Sequence, residues 1–244
     1  MIVLFTDFGV SGPYMGQMKA VLHRLAPGVD VVDLFADAPA RDPRASAYLL
    51  AAYIDEFPQG TVFLCVVDPG VGSKRAAGIL QADGKWFVGP DNGIFSIIAR
   101  RTATAGPWME LSELPDTISA TFHGRDVFAP AAAGVATGKL PPYVEKPVEG
   151  ILHPDWPDDL AKIIYIDRFG NATTGIRAST VDDQAIVMLG DIRLRKARTF
   201  SDVGRGAAFW YENSNGLLEI AVNCGRADEL PGMHIGVKIE IRIV

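Results

Sequence analysis

"TVFLCVVDPGVGSKR", residues 61–75, holds an unbroken apolar run, an acid, a glycine-rich turn and two cations. Residues 62–67 show no alternation, so the strand they predict is covered on both faces, as in a sheet flanked by helices. Asp68 ends that strand, and Gly70 and Gly72 let the backbone turn tightly behind it. Toward the N-terminus, "VDVVDLF" (29–35) and "MIVLFTD" (1–7) read as two more buried strands. Between them, "GPYMGQMKAVLHRLAPG" (12–28) carries Met15, Met18, Leu22 and Leu25 at helical spacing, with Pro13 near the start and Pro27-Gly28 as the stop. A second helix follows in "RDPRASAYLLAAYIDEFPQG" (41–60), with Asp42 as N-cap and Pro43 in the first position. Strand, helix, strand, helix, strand at this spacing predicts a mainly parallel α/β sheet.

Further along, "AAGILQADGKWFVGPDNG" (76–93) predicts a hairpin turning at Asp83-Gly84, and a helix beginning near Val127 takes up the alanine run. "KLPPYVEKPVEGILHPDWPDD" (139–159) is proline-rich without a helical or strand period, and reads as a linker. The expected division is an α/β domain over 1–158 and a β domain over 159–244. In the latter, "AKIIYIDRFG", "DQAIVMLGDIRLRKA", "GAAFWYEN", "GLLEIAVN" and "HIGVKIEIRIV" are short β segments between turns, as in a small barrel.

Of the 244 residues, 48% are hydrophobic and 21% charged, with a formal net charge of -6, which argues against nucleic acid as a partner. No apolar run approaches the ~18 residues of a membrane helix, and "MIVLFTDFG" lacks the features of a signal peptide. Cys65 and Cys224, both in apolar strand-like runs, read as reduced core residues of a cytoplasmic protein. His23, His123, His153 and His234 are too far apart for a metal-binding frame, so no metal is expected. The "DFG" at 7–9 has no kinase companions, and no phosphate-binding glycine loop is present.

Asp7 and Asp68 both follow strands, where ligands of open α/β sheets bind, although a tight turn capped by an Asp would look the same. His123 stands among charged neighbours in "TFHGRD", again compatible with a structural or a chemical role.

Taken in order, "TDFGVSGPYMGQMK", "VVDPGVGSKR", "VGPDNGIFS", "TFHGRDVFAPAAA", "YIDRFGN" and "NSNGLLEIAVNCG" resemble the motifs of the S-adenosyl-L-methionine (SAM) hydroxide adenosyltransferases, relatives of fluorinase and chlorinase. The resemblance implies hydrolysis of SAM to adenosine and L-methionine, with SAM as substrate and no cofactor. It also implies a homotrimer with each site at a subunit interface. Asp68, Arg75 and His123 match the triad that activates water, and Asp7 the residue that holds the ribose hydroxyls. Asp167 matches the carboxylate for the methionine ammonium, Asn171 a reader of the adenine edge, and Ser214, beside Asn213, a contact for the methionine carboxylate. Phe169 and Phe200 would pack on purine or ribose. Phe122 and Gly124 flank His123, Gly124 leaving room for the nucleophile. Arg125 and Asp126 read as an ion pair or helix cap supporting the loop. Halogenating relatives carry Tyr at the Asp68 position; halogenation and a SAM or adenosine sensor are the rival readings. "LFADAPARDP" (34–43) and Arg226 depart from the family pattern.

Overall fold

The computed structural model describes residues 1–114 and 117–243, which form two compact units, Met1–Pro154 and Asp155–Val244. In the first unit a seven-stranded sheet has the order β2-β1-β3-β5-β4-β6-β7. Its strands are β1 (Ile2–Thr6), β2 (Val31–Phe35), β3 (Val62–Val66), β4 (Ala77–Ala82), β5 (Lys85–Pro90), β6 (Ala105–Leu111) and β7 (Tyr143–Lys146). The four strands β2, β1, β3 and β5 run parallel, and β4, β6 and β7 continue the sheet antiparallel. Every residue of β1 and β3 is buried, which is why those runs lack alternation.

The helices are α1 (Tyr14–Leu25), α2 (Pro43–Ala51), α3 (Ser96–Arg101) and α4 (Ala129–Ala136). Asp42 caps α2, its carboxylate accepting from the Ala45 N–H at 2.9 Å, and Pro43 opens the helix. Met15, Met18 and Leu22 of α1 share a core with Phe128, Ala131, Ala132 and Val135. The alanine run is therefore a buried helix face. The β4–β5 turn has Asp83 and Gly84 both at positive φ, 44° and 72°, the backbone a two-residue hairpin needs.

Three expectations change. β2 is an edge strand, and of its residues only Phe35 is buried, because a single neighbour covers it. The proline-rich stretch contains β7, which pairs with β6 while all four of its side chains are exposed. With no buried face it has no hydropathy period to read. Cys224 is exposed at φ 56° in a turn beyond the last apolar strand residue, whereas Cys65 is buried in β3 and its thiol is pushed well above its ordinary pKa by burial.

The second unit holds β8 (Leu160–Ile166), β9 (Ala172–Arg177), β10 (Ile186–Leu189), β11 (Ile192–Leu194), β12 (Ala208–Glu212), β13 (Leu217–Val222) and β14 (Glu240–Arg242). They form antiparallel sheets β12-β13-β9-β8 and β11-β10-β14. Bridges between Lys162 and Lys238 and between Lys196 and Trp210 join the two sheets at both ends, closing a small barrel. Ile163, Val187, Leu189, Trp210, Leu218 and Ile220 fill it. No helix of the described residues is long and apolar enough to cross a membrane.

Candidate active site

β1 and β3 are parallel neighbours in register from Ile2–Val62 to Thr6–Val66, so the chain delivers Asp7 and Asp68 side by side past their carboxyl ends. Asp7 accepts the Arg41 backbone N–H at 2.8 Å. Burial, aided by the charge of Asp68, holds the Asp7 carboxyl above its ordinary pKa. The glycine-rich turn after Asp68 brings Arg75 back onto it: Nε lies 2.9 and 3.0 Å from the two carboxylate oxygens, and Nη2 bonds Oδ2 as well. The two side chains are only 10% and 4% exposed, so two charges leave water together as a forked pair.

The same Nη2 stands 2.9 Å from His123 Nδ1. A guanidinium donates and never accepts, so Nδ1 takes the bond with its lone pair and the ring proton sits on Nε2. Burial, then the Arg75 charge, pushes the His123 pKa below its ordinary value, which keeps that neutral tautomer. Beneath the array the Arg75 guanidinium lies over the Phe128 ring at 5.1 Å.

His123 precedes a single wide turn, Gly124–Phe128, that leads into α4. Arg125 forks onto Asp126 at 2.6 and 2.8 Å and reaches Gln17 of α1 at 2.8 Å. Asp126 in turn accepts the Ser119 N–H at 2.8 Å. Arg125 and Asp126, the charged pair of "HGRD", are thus the loop's own brace. Gly72, at φ +79°, brings the glycine-rich turn against the Ala120 carbonyl, where a Cβ would sit 2.6 Å from the oxygen. Asp7, Phe8, Arg41, Asp68, His123 and Gly124 are among the residues lining a small cleft. Phe122 lines it too, its ring edge-on to Phe8 at 5.8 Å.

In the barrel unit, Asp167 and Asn171 share one turn. The Asn171 backbone N–H and Nδ2 donate to the two Asp167 oxygens at 2.8 and 3.0 Å. Gly170 holds φ +85°, and a Cβ there would meet Asp228 and Arg226. Arg226 forks onto Asp228 and donates to the Arg168 carbonyl at 2.9 Å, so its side chain clamps the turn. Phe169 is 74% exposed at its tip. Phe200 packs against Phe209 and Tyr211, and Ser214 donates to Asn215 in the turn that Asn213 opens. Among the described residues no group of three or more His, Cys, Asp or Glu could hold a metal ion. Sequence reasoning passed over Arg41, because a backbone N–H has no side-chain signature.

Residues 2–144 match the SAM hydroxide adenosyltransferase N-terminal domain and residues 161–240 the C-terminal domain of the same family. The chain is a SAM hydroxide adenosyltransferase family member. It is similar to the (R)-S-adenosyl-L-methionine hydrolase of Thermus thermophilus, 41% identical with 98% of each chain covered. Another (R)-S-adenosyl-L-methionine hydrolase, from Salinispora tropica, is 33% identical over 97% of this chain and 95% of that one. The fluorinase of Nocardia brasiliensis is 21% identical, covering 100% of this chain and 97% of its own. Among solved structures, an uncharacterized conserved protein from Thermotoga maritima superposes on this family member with a TM-score of 0.85, at 30% identity and 99% coverage of both chains.

Proposed function

We propose that the chain hydrolyses SAM to adenosine and L-methionine, water forming the O–C5′ bond as the C5′–S bond breaks. The observation that carries this reading is the buried Asp68–Arg75–His123 array. A sulfonium leaves as a neutral thioether and needs no general acid; the difficulty is water, whose pKa of ~15.7 leaves almost no hydroxide. Arg75 is a fixed positive charge for the developing hydroxide, and the Nε2–H of His123 is a donor that orients the attacking oxygen. His123 cannot take the water proton while its Nδ1 accepts from Arg75, so that proton goes to Asp68. Attack of an incipient anion on a cation disperses charge, and a pocket poor in water favours it.

Asp7 holds the ribose hydroxyls in this reading, and Gly124 and Phe122 shape the space for the nucleophile. Asp167, Asn171, Phe169, Phe200, Asn213 and Ser214 bind the methionine and adenine ends. The protein acts as a cytoplasmic homotrimer with sites at subunit interfaces, and SAM is its substrate, with no cofactor required. Incubation with SAM, with and without chloride or fluoride, followed by chromatography, tests the reaction. Adenosine and methionine are expected in equal amounts. A 5′-halo-adenosine, or SAM bound but unchanged, overturns the proposal.

A further inference from the structure

Glu219 is the single acid within the otherwise apolar β13, and it is only 7% exposed. A carboxylate withdrawn from water must be hydrogen-bonded or paired. Among the described residues, the three donors that meet this one are neutral. Thr173 Oγ1 and Asn213 Nδ2 reach Oε2 at 2.7 and 2.9 Å, and the Tyr211 hydroxyl bonds Oε1.

Each donor adjoins or packs against a segment that carries an expected substrate contact. Thr173 is the second residue of β9, two beyond Asn171, and it pairs with Glu219 across the sheet. The Tyr211 ring packs on Phe200, centroids 5.5 Å apart. Asn213 adjoins Ser214, and while its Nδ2 is held by Glu219 its Oδ1 accepts the backbone N–H groups of Asn215 and Leu217, both at 3.0 Å. Beyond the backbone bonds of this β12–β13 connection, such as Asn213 N–H to the Leu217 carbonyl at 2.9 Å, the Asn213 amide and the Glu219 carboxylate thus tie the turn bearing Ser214 to Thr173 of β9.

We infer that Glu219 is a positioning residue that sets the Asn171, Phe200 and Ser214 segments relative to one another for SAM binding. The inference rests on the assignment of those three residues to the substrate; Glu219 itself touches none of it. A carboxylate suits the task because its two oxygens offer lone pairs to three donors at once. A glutamine can serve the same partners, its oxygen accepting from Thr173 and Asn213 while its amide donates to a reversed Tyr211 hydroxyl. An alanine removes the acceptor that all three share.

Steady-state kinetics, calorimetry with SAM and with adenosine, and thermal melting on Glu219→Ala, Glu219→Gln, Thr173→Val and Ser214→Ala test the role. Glu219→Ala is expected to raise Kd and KM for SAM by about tenfold to a hundredfold, with saturating kcat moved less than about threefold. Glu219→Gln should restore most of that affinity. Thr173→Val, a near-isosteric loss of one donor, should raise KM severalfold, and decides the matter should Glu219→Ala not fold. Lower melting temperatures with unchanged KM and Kd in the Glu219→Ala and Thr173→Val proteins overturn the positioning role, provided Ser214→Ala does weaken SAM binding. If Ser214→Ala changes neither ligand's affinity, the substrate assignment beneath the inference fails, and the inference with it.

Discussion

Arg75 decides what His123 can do. By donating to Nδ1 it leaves the imidazole neutral with its proton on Nε2, a donor aimed away from the ion pair. Removing such a donor from a developing oxyanion typically costs about 10²–10³ in kcat, and His123→Ala should lose in that range with SAM affinity within a few-fold of the parent. Single-turnover hydrolysis measures it; a normal rate would reduce His123 to a packing residue. The same residue makes stability depend on pH. Its folded pKa lies below its ordinary 6.5, so the unfolded chain binds the proton first. The stability it contributes is complete above that ordinary value and is lost as the pH falls through the lower, folded one. Melting curves between pH 8 and pH 5 should therefore fall less steeply for His123→Asn than for the parent. Equal slopes would mean that His123 is not held neutral.

At the scale of elements, two loops far apart in the chain make the array, and each has its own support. Gly72 lets the turn after β3 touch the Ala120 carbonyl with a left-handed backbone. Alanine there meets that oxygen at 2.6 Å and also pays about 1–2 kcal/mol for its φ. Gly72→Ala should consequently lower the melting temperature and shift Arg75, reducing kcat more than Gly16→Ala, whose Cβ meets open space on α1. Identical effects of the two would refute the close approach as the reason for Gly72. Arg125→Ala removes the brace between the wide turn and α1, and should lower the midpoint of thermal or denaturant unfolding. Activity in the folded fraction should stay near that of the parent, the reverse of the His123→Ala pattern.

For the molecule as a whole, the expected ligand residues divide between the two units: Asp7, Asp68, Arg75 and His123 on the first, Asp167, Asn171 and Ser214 on the second. A homotrimer is the assembly proposed to complete the site, and light scattering during turnover should report a trimer. A fully active monomer would contradict it. Asp167 offers a check on which end of SAM the barrel unit holds. Asp167→Ala should weaken SAM binding about tenfold to a hundredfold while leaving adenosine, which has no ammonium, nearly unaffected. Calorimetry that finds equal losses for both ligands would reassign the carboxylate.

Much of this was readable from residues alone. The unbroken apolar runs at 2–5 and 62–67 announced strands buried on both faces, Asp42-Pro43 announced a helix start, and Asp83-Gly84 a hairpin, because each is a local constraint on backbone or solvent exposure. Asp7 and Asp68 could be placed at strand ends for the same reason. What lay beyond local reading depends on neighbours distant in the chain. β7 is a strand only because β6 offers it an edge, and β2 is half-exposed because it stands at the end of the sheet with β1 as its one paired neighbour among the described strands. Arg75 and His123, 48 residues apart, share a hydrogen bond that fixes a tautomer no sequence records. Glu219 could be noticed as the odd acid of an apolar strand, but its three donors come from β9, β12 and the turn after β12. Residue types limit which groups can donate, accept or carry charge; only the packed chain, by excluding water and closing distances, decides which of them meet.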